Sequence, residues 1–193
     1  TGLFPYTTLF RSGVVALYKA VVALGGASEA ARRGAVAYAS AKDMLNVFNS
    51  TGVQTVRVYR AWHFNNGTAA VTGVLTTMQC RRITAAAGGT GVTPVAHDTN
   101  SPALSGVTAG TNQTITGSDI FRRYIYSNDE PAVSGATQDE WECLVPYAQV
   151  WESGYGDTNV EPIVCRTGQG FELFHAGSTA VGSADVEIEF TAS

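Results

Sequence analysis

The sequence predicts an all-β chain, an antiparallel β-sandwich of jelly-roll type with room for one short N-terminal helix. Three observations predict it. Roughly eight short runs of alternating apolar and polar residues follow one another, separated by clusters of Gly, Asn, Asp, Ser and Pro. Gly 21 and a high content of Thr and Ser suit short strands joined by turns. No internal repeat is visible, which disfavours propellers and solenoids. A length of 193 residues, 45% of them hydrophobic and 15% charged, suffices for one sizeable core.

The first twelve residues, from Thr1 to Ser12, resemble translated adapter read-through and are set aside, so the single sandwich domain is placed at 13–193. Val14 to Leu24 is apolar and β-branched and fits either a strand or a short helix. Ser28 to Lys42 is Ala-rich, and Ser28 could cap a helix there, although Gly34 weakens it. Asp43 to Asn49 reads as a strand. The runs from Val53 to Phe64 and from Ala69 to Ile83 alternate plainly, and Asn65-Asn-Gly67 between them suggests a hairpin.

Residues 85–116 differ in kind. They are Gly, Thr, Ala, Ser, Asn and Pro with almost no charge, too long for an ordinary connection, and read as a long loop or arm with a short strand near Val92 to Ala96. Strands follow at Ile120–Tyr126, Trp141–Trp151, Val160–Arg166 and Phe171–His175. In the last strand Val186, Ile188 and Phe190 alternate with Asp185, Glu187 and Glu189, giving one buried and one wet acidic face.

The net charge of −4 hides an asymmetry: residues 1–126 carry eleven Lys/Arg against four Asp/Glu, and residues 127–193 carry one against twelve. The overall acidity speaks against a dedicated nucleic-acid binder, and no run is apolar enough for a membrane-spanning helix. The paired arginines Arg81-Arg82 and Arg122-Arg123 lie in strands, where alternation turns one of each pair inward or to an edge. The acids of the C-terminal half are the expected partners, with a subunit contact as the other use.

Chemistry is harder to find. Cys80, Cys143 and Cys165 lack metal-site spacing and sit in apolar runs, as buried small hydrophobes do. His63, His97 and His175 form no paired pattern, so the metal cluster of a cupin is missing and solvated loop positions are expected. Carboxylates are plentiful in the turns, but a glycosidase-like pair is a matter of spatial separation. Asp157, Asn159 and Glu161 alternate beside Gly154 and Gly156 and make a weak calcium candidate, without the closing bidentate Glu of an EF-hand. No catalytic residue, resident metal or cofactor is expected. Trp141, Trp151 and Tyr155 are candidate contact residues, for a subunit interface or a stacked sugar.

At Arg122-Arg-Tyr-Ile-Tyr-Ser-Asn-Asp-Glu-Pro131, Asp139-Glu-Trp-Glu142, Gly154-Tyr-Gly-Asp-Thr-Asn-Val-Glu-Pro162 and Asp185-Val-Glu-Ile-Glu-Phe-Thr191 the chain resembles uncharacterised proteins common in environmental viral sequences that look like tailed-phage virion components. The resemblance covers roughly residues 51–193 and brings no catalytic residues. It implies a non-enzymatic head decoration or minor capsid protein, located in the virion, homo-oligomeric and in contact with other virion proteins. A carbohydrate-binding module of a fibre or adhesin is the alternative.

Overall fold

The computed structural model describes residues 26–65, 75–117, 119–127, 147–153, 161–177 and 182–193. These form two six-stranded antiparallel sheets packed face to face, with a separate two-stranded ladder. The strands are β1 Ala27–Ala37, β2 Lys42–Asn49, β3 Val56–Asn65, β4 Leu75–Ile83, β5 Ala85–Ala87, β6 Thr90–Val92 and β7 Val95–Ala96. They continue as β8 Val107–Thr111, β9 Thr114–Thr116, β10 Asp119–Ser127, β11 Tyr147–Glu152, β12 Ile163–Cys165, β13 Gln169–His175 and β14 Ser183–Ala192. The first sheet runs β11-β3-β14-β1-β7, with β12 also on β3; the second runs β10-β4-β13-β2-β8-β6; β5 pairs β9.

The core lies between the sheets and follows from period-2 patterning. Val186, Ile188 and Phe190 of β14 meet Leu45 and Val47 of β2, Phe171 and Leu173 of β13, and Met78 and Cys80 of β4, all of them buried. Burying each such Leu, Ile, Val or Phe side chain contributes about 1.5–3 kcal/mol. On the outer face of the first sheet the acids of β14 meet arginines. Arg32 lies 3.9 Å from Asp185 and 3.8 Å from Glu187, and Arg60 lies 3.1 Å from Glu152 and 3.6 Å from Glu189. These pairs are partly solvated and contribute at most about 1 kcal/mol each.

Several expectations are corrected. The short N-terminal helix over Ser28–Lys42 is instead β1 as far as Ala37, because pairing along nearly the whole of β14 outweighs the helix propensity of its alanines. Gly34 and Ala35 form a bulge in this ladder; Ala35 takes φ 52° and donates its N–H to Asp185 Oδ1 at 2.8 Å. Ser28 caps nothing, being held by His97 Nδ1 at 2.9 Å.

The expected hairpin of β3 with β4 does not form either. β3 pairs β14, β11 and β12 in one sheet, while β4 lies between β10 and β13 in the other. Residues 85–116, expected as a loop or arm, hold five short strands. β6 and β8 extend the second sheet beyond β2, and β7 adds to β1 in the first. Residues 1–25 and the Trp141–Pro146 part of an expected strand lie outside the described residues.

Candidate functional site

The outer face of the second sheet carries an unusual set of buried polar side chains. Register sets them side by side: Glu172 of β13 stands opposite Arg81 on β4 and Asn46 on β2, and Asn46 stands opposite Gly110 on β8. Asp43 lies only three residues before Asn46, a spacing that puts two side chains on opposite faces of a regular strand. Between Leu173 and Phe174 the ladder skips Met44, and this extra residue in β2 brings Asp43 round to the face of Asn46.

The turn between β8 and β9 closes over this face. Asn112 N–H donates to Asp43 O at 2.9 Å, and Gln113 N–H donates to Asp43 Oδ2 at 3.0 Å. Asn112 takes φ 55°, a left-handed conformation that Asn tolerates better than most residues. Asn46 Nδ2 donates to Asp43 Oδ2 at 2.8 Å, Gln113 Oε1 at 2.9 Å and Gly110 O at 3.1 Å. The Gln113 side chain lies close over Gly110, where an added Cβ would be 2.5 Å from Gln113 Nε2 and would displace it. Asp43, Asn46 and Glu172 are consequently buried, the last two with 0% exposure.

Burial dominates the electrostatics. It pushes the Asp43 carboxyl up to about 6, against the opposing pull of the Gln113 and Asn46 hydrogen bonds and the Lys42 charge. It pushes Glu172 up to about 8, helped by the charge on Asp43 and opposed by Arg81. Arg81 nevertheless spends its guanidinium elsewhere: its Cζ sits 3.3 Å from the Phe174 ring centroid and its Nε donates to Gln79 at 2.7 Å. Asp43 Oδ1, Asn46 Oδ1 and both carboxylate oxygens of Glu172 are buried without a protein hydrogen-bond partner. Two carboxyls whose affinities for protons are pushed apart can hold and move a proton, and four buried oxygens without donors can hold a hard cation.

A second polar group occupies one end of the core. The Tyr38 hydroxyl meets His63 Nε2 at 2.5 Å, and the Tyr38 ring also packs 5.3 Å from that of His175. His175 Nδ1 donates to Ala39 O at 2.7 Å. Burial lowers His63 to about 4 and lowers His175 as well, so both rings are neutral near pH 7. The expectation of solvated loop histidines is thus corrected for His63 and His175, both with 0% exposure. They lie in β3 and β13, on faces turned toward the other sheet.

The residues singled out from the sequence meet a mixed outcome. Arg122 and Arg123 are exposed on β10, and the Arg122 Cζ lies 5.7 Å from the Trp151 ring centroid. Trp151 is half-buried, packs on the core and tilts against Phe121 at 6.2 Å, which closes the gap between β10 and β11. Arg81 stands opposite Glu172, an acid of the C-terminal half, and the two charges act on each other, but among the described residues no direct ion pair joins either arginine pair to an acid. Arg82 donates to Val164 O at 2.8 Å, and the acids of β14 are taken by Arg32 and Arg60, which stand beside them in the first sheet.

Trp141, Tyr155, Asp157 and Asn159 lie outside the described residues, and Glu161 is exposed. Cys80 and Cys165 are buried, and burial pushes their thiols up to about 12 and about 11. Among the described residues no three His, Cys, Asp or Glu side chains gather as a metal site, and no helix is long and apolar enough to cross a membrane.

Sequence reasoning missed Asp43, Asn46 and Glu172. The signal was there in part: Glu172 sits between Phe171 and Leu173, and Asp43 and Asn46 interrupt an otherwise apolar run. No family model, curated protein or solved structure matches this chain.

Proposed function

We propose that the chain is a non-enzymatic structural component of a tailed-phage virion, a head decoration or minor capsid protein, built on a jelly roll and acting through contacts between subunits. Strand order supports the jelly roll. With β1, β2, β3, β4, β10, β11, β13 and β14 numbered one to eight, one sheet reads first, eighth, third, sixth and the other second, seventh, fourth, fifth. Two Greek keys wound together interleave in that way, and viral capsid domains are one of the settings in which this architecture recurs. Architecture alone does not carry function.

The observation that carries the assembly reading is the edge of the second sheet. β10 pairs with β4 and, among the described residues, with no other strand, which makes it an edge of the described sheet. Ile120 is 51% exposed, Phe121 39% and Ile125 57%, interleaved with exposed Arg122 and Arg123. An edge strand that shows large apolar side chains is a template for another chain; β10 also carries a bulge between Ile120 and Arg122 and two exposed arginines, which restrict such pairing to a partner that accommodates both. A second copy of this chain, or a neighbouring virion protein, is the partner such an edge accepts.

The half-buried Trp151, committed to Phe121 and Arg122, supports this reading over a sugar-stacking platform. Sedimentation of the purified protein, alone and with tailed-phage capsids, tests the proposal together with the genes flanking its reading frame. Concentration-dependent assembly or capsid binding, and a portal or major capsid gene next door, are the expected results. A strict monomer without affinity for capsids, encoded among unrelated genes, overturns it.

A further inference from the structure

We propose that Asp43, Asn46 and Glu172 form a buried site for a hard divalent cation of the calcium class, a site that does not depend on the virion reading. Three features carry it. The first is donor convergence. Asn46 Nδ2 is turned toward β8 by its bond to Gly110 O, and β2 lies between β8 and β13. The carboxamide oxygen therefore faces the β13 side, where Glu172 is its register partner. Three acceptors around Nδ2 fix which end of the amide is nitrogen.

The second is the number of unsatisfied atoms. Asp43 Oδ1, Asn46 Oδ1 and Glu172 Oε1 and Oε2 are four buried acceptors without a donor. Buried polar atoms are normally paired, and groups of exceptions mark water or an ion. A proton on Glu172 supplies a single donor for these atoms, whereas a cation draws all of them at once.

The third is charge. Two acids are buried side by side, and the nearby cations make their direct contacts elsewhere: Lys42 Nζ donates to Ala37 O at 2.6 Å, and Arg81 lies on Phe174 and donates to Gln79. A divalent ion that displaces the Glu172 proton would offset the charge of both acids, which neither side-chain cation does by direct contact. The donors are all oxygen, which selects hard cations over zinc or copper. Their irregular arrangement, with Glu172 able to bind through both oxygens, suits the flexible coordination of calcium better than the strict octahedron of magnesium. The turn at Asn112 and Gln113 bonds directly to Asp43, so an ion here would tie the 85–117 segment to the second sheet.

The test is calorimetric titration of calcium chloride into the chelator-stripped full chain, with thermal unfolding alongside. Glu172→Gln and Asp43→Asn keep the shape of each side chain while removing one charge. The parent is expected to bind calcium with a rise in Tm, and each amide variant to bind at least about tenfold more weakly. Absence of heat and of any Tm change in the parent overturns the proposal, as does an unchanged affinity in both amide variants. Should the variants fail to fold, anomalous scattering from calcium-soaked crystals of the parent decides. An ion about 2.3–2.6 Å from the oxygens of these three side chains upholds the site, and an ion elsewhere removes it.

Discussion

Replacing Glu172 by Gln will make the protein less sensitive to alkaline pH. Glu172 is fully buried between Phe171 and Leu173, and its carboxyl is pushed from 4.5 to about 8. The folded state thus holds a proton that the unfolded chain gives up above pH 4.5. The favourable contribution of the protonated group is complete below that pH and is lost as pH rises through the folded value. At about 1.4 kcal/mol per pH unit, the loss across the window from 4.5 to about 8 approaches about 5 kcal/mol. That is a large part of the stability of an ordinary domain.

The amide of E172Q resembles the protonated acid at every pH, so the variant and the parent should unfold at similar urea concentrations at pH 4.5. They should diverge steadily above it, with the variant several kcal/mol more stable at pH 9. The assay is equilibrium urea unfolding from pH 4.5 to 9 in the presence of chelator. Parallel stability curves for the two proteins would refute a buried, protonated Glu172.

Other predictions follow from the same packing. His63 is lowered from 6.5 to about 4, so its neutral ring contributes stability above pH 6.5 that is lost as pH falls toward 4; NMR should show its resonances untitrated at pH 5.5, and a midpoint near 6.5 would contradict its burial. At Gly170 an added Cβ would lie 2.5 Å from Val47 O and 2.9 Å from both Ile83 Cγ1 and Phe48 Cδ2, so Gly170→Ala should cost about 1–3 kcal/mol by chemical denaturation. Cys80 and Cys165, raised to about 12 and about 11, should resist iodoacetamide at pH 8 in the native state and react once unfolded.

The parts of the fold legible in the sequence are those where one sheet face is wet. β14 is the clearest: Val186, Ile188 and Phe190 point into the core while Asp185, Glu187 and Glu189 stay half-buried outside, and that contrast is written as alternation. β1 was not legible, because alanines at Ala27, Ala30, Ala31, Ala35 and Ala37 favour helix locally and only the long ladder with β14 decides otherwise. The separation of β3 and β4 into opposite sheets was hidden for a related reason. Asn65-Asn-Gly67 announces a reversal, and a turn signal does not say which sheet the next strand joins.

The candidate site was concealed by a covering. β2 is buried on both faces, since the turn at Asn112 and Gln113 lies over its outer side. Asp43, Asn46 and Glu172 therefore occupy positions that would be solvent-facing in an uncovered sheet, where acids need no explanation. The residues 85–116 looked like an arm because they lack charge and apolar periodicity. Their short strands instead gain order from edges supplied by β1 and β2.

The most direct test of the assembly reading is sedimentation velocity over a wide concentration range, comparing the parent with the double variant Ile120→Lys, Ile125→Lys. Both side chains are exposed, so their replacement should change stability by no more than about 0.5 kcal/mol. The account predicts reversible oligomers for the parent and a monomer of unchanged Tm for the variant. A parent that stays monomeric at every concentration, or a variant that assembles as the parent does, would contradict it.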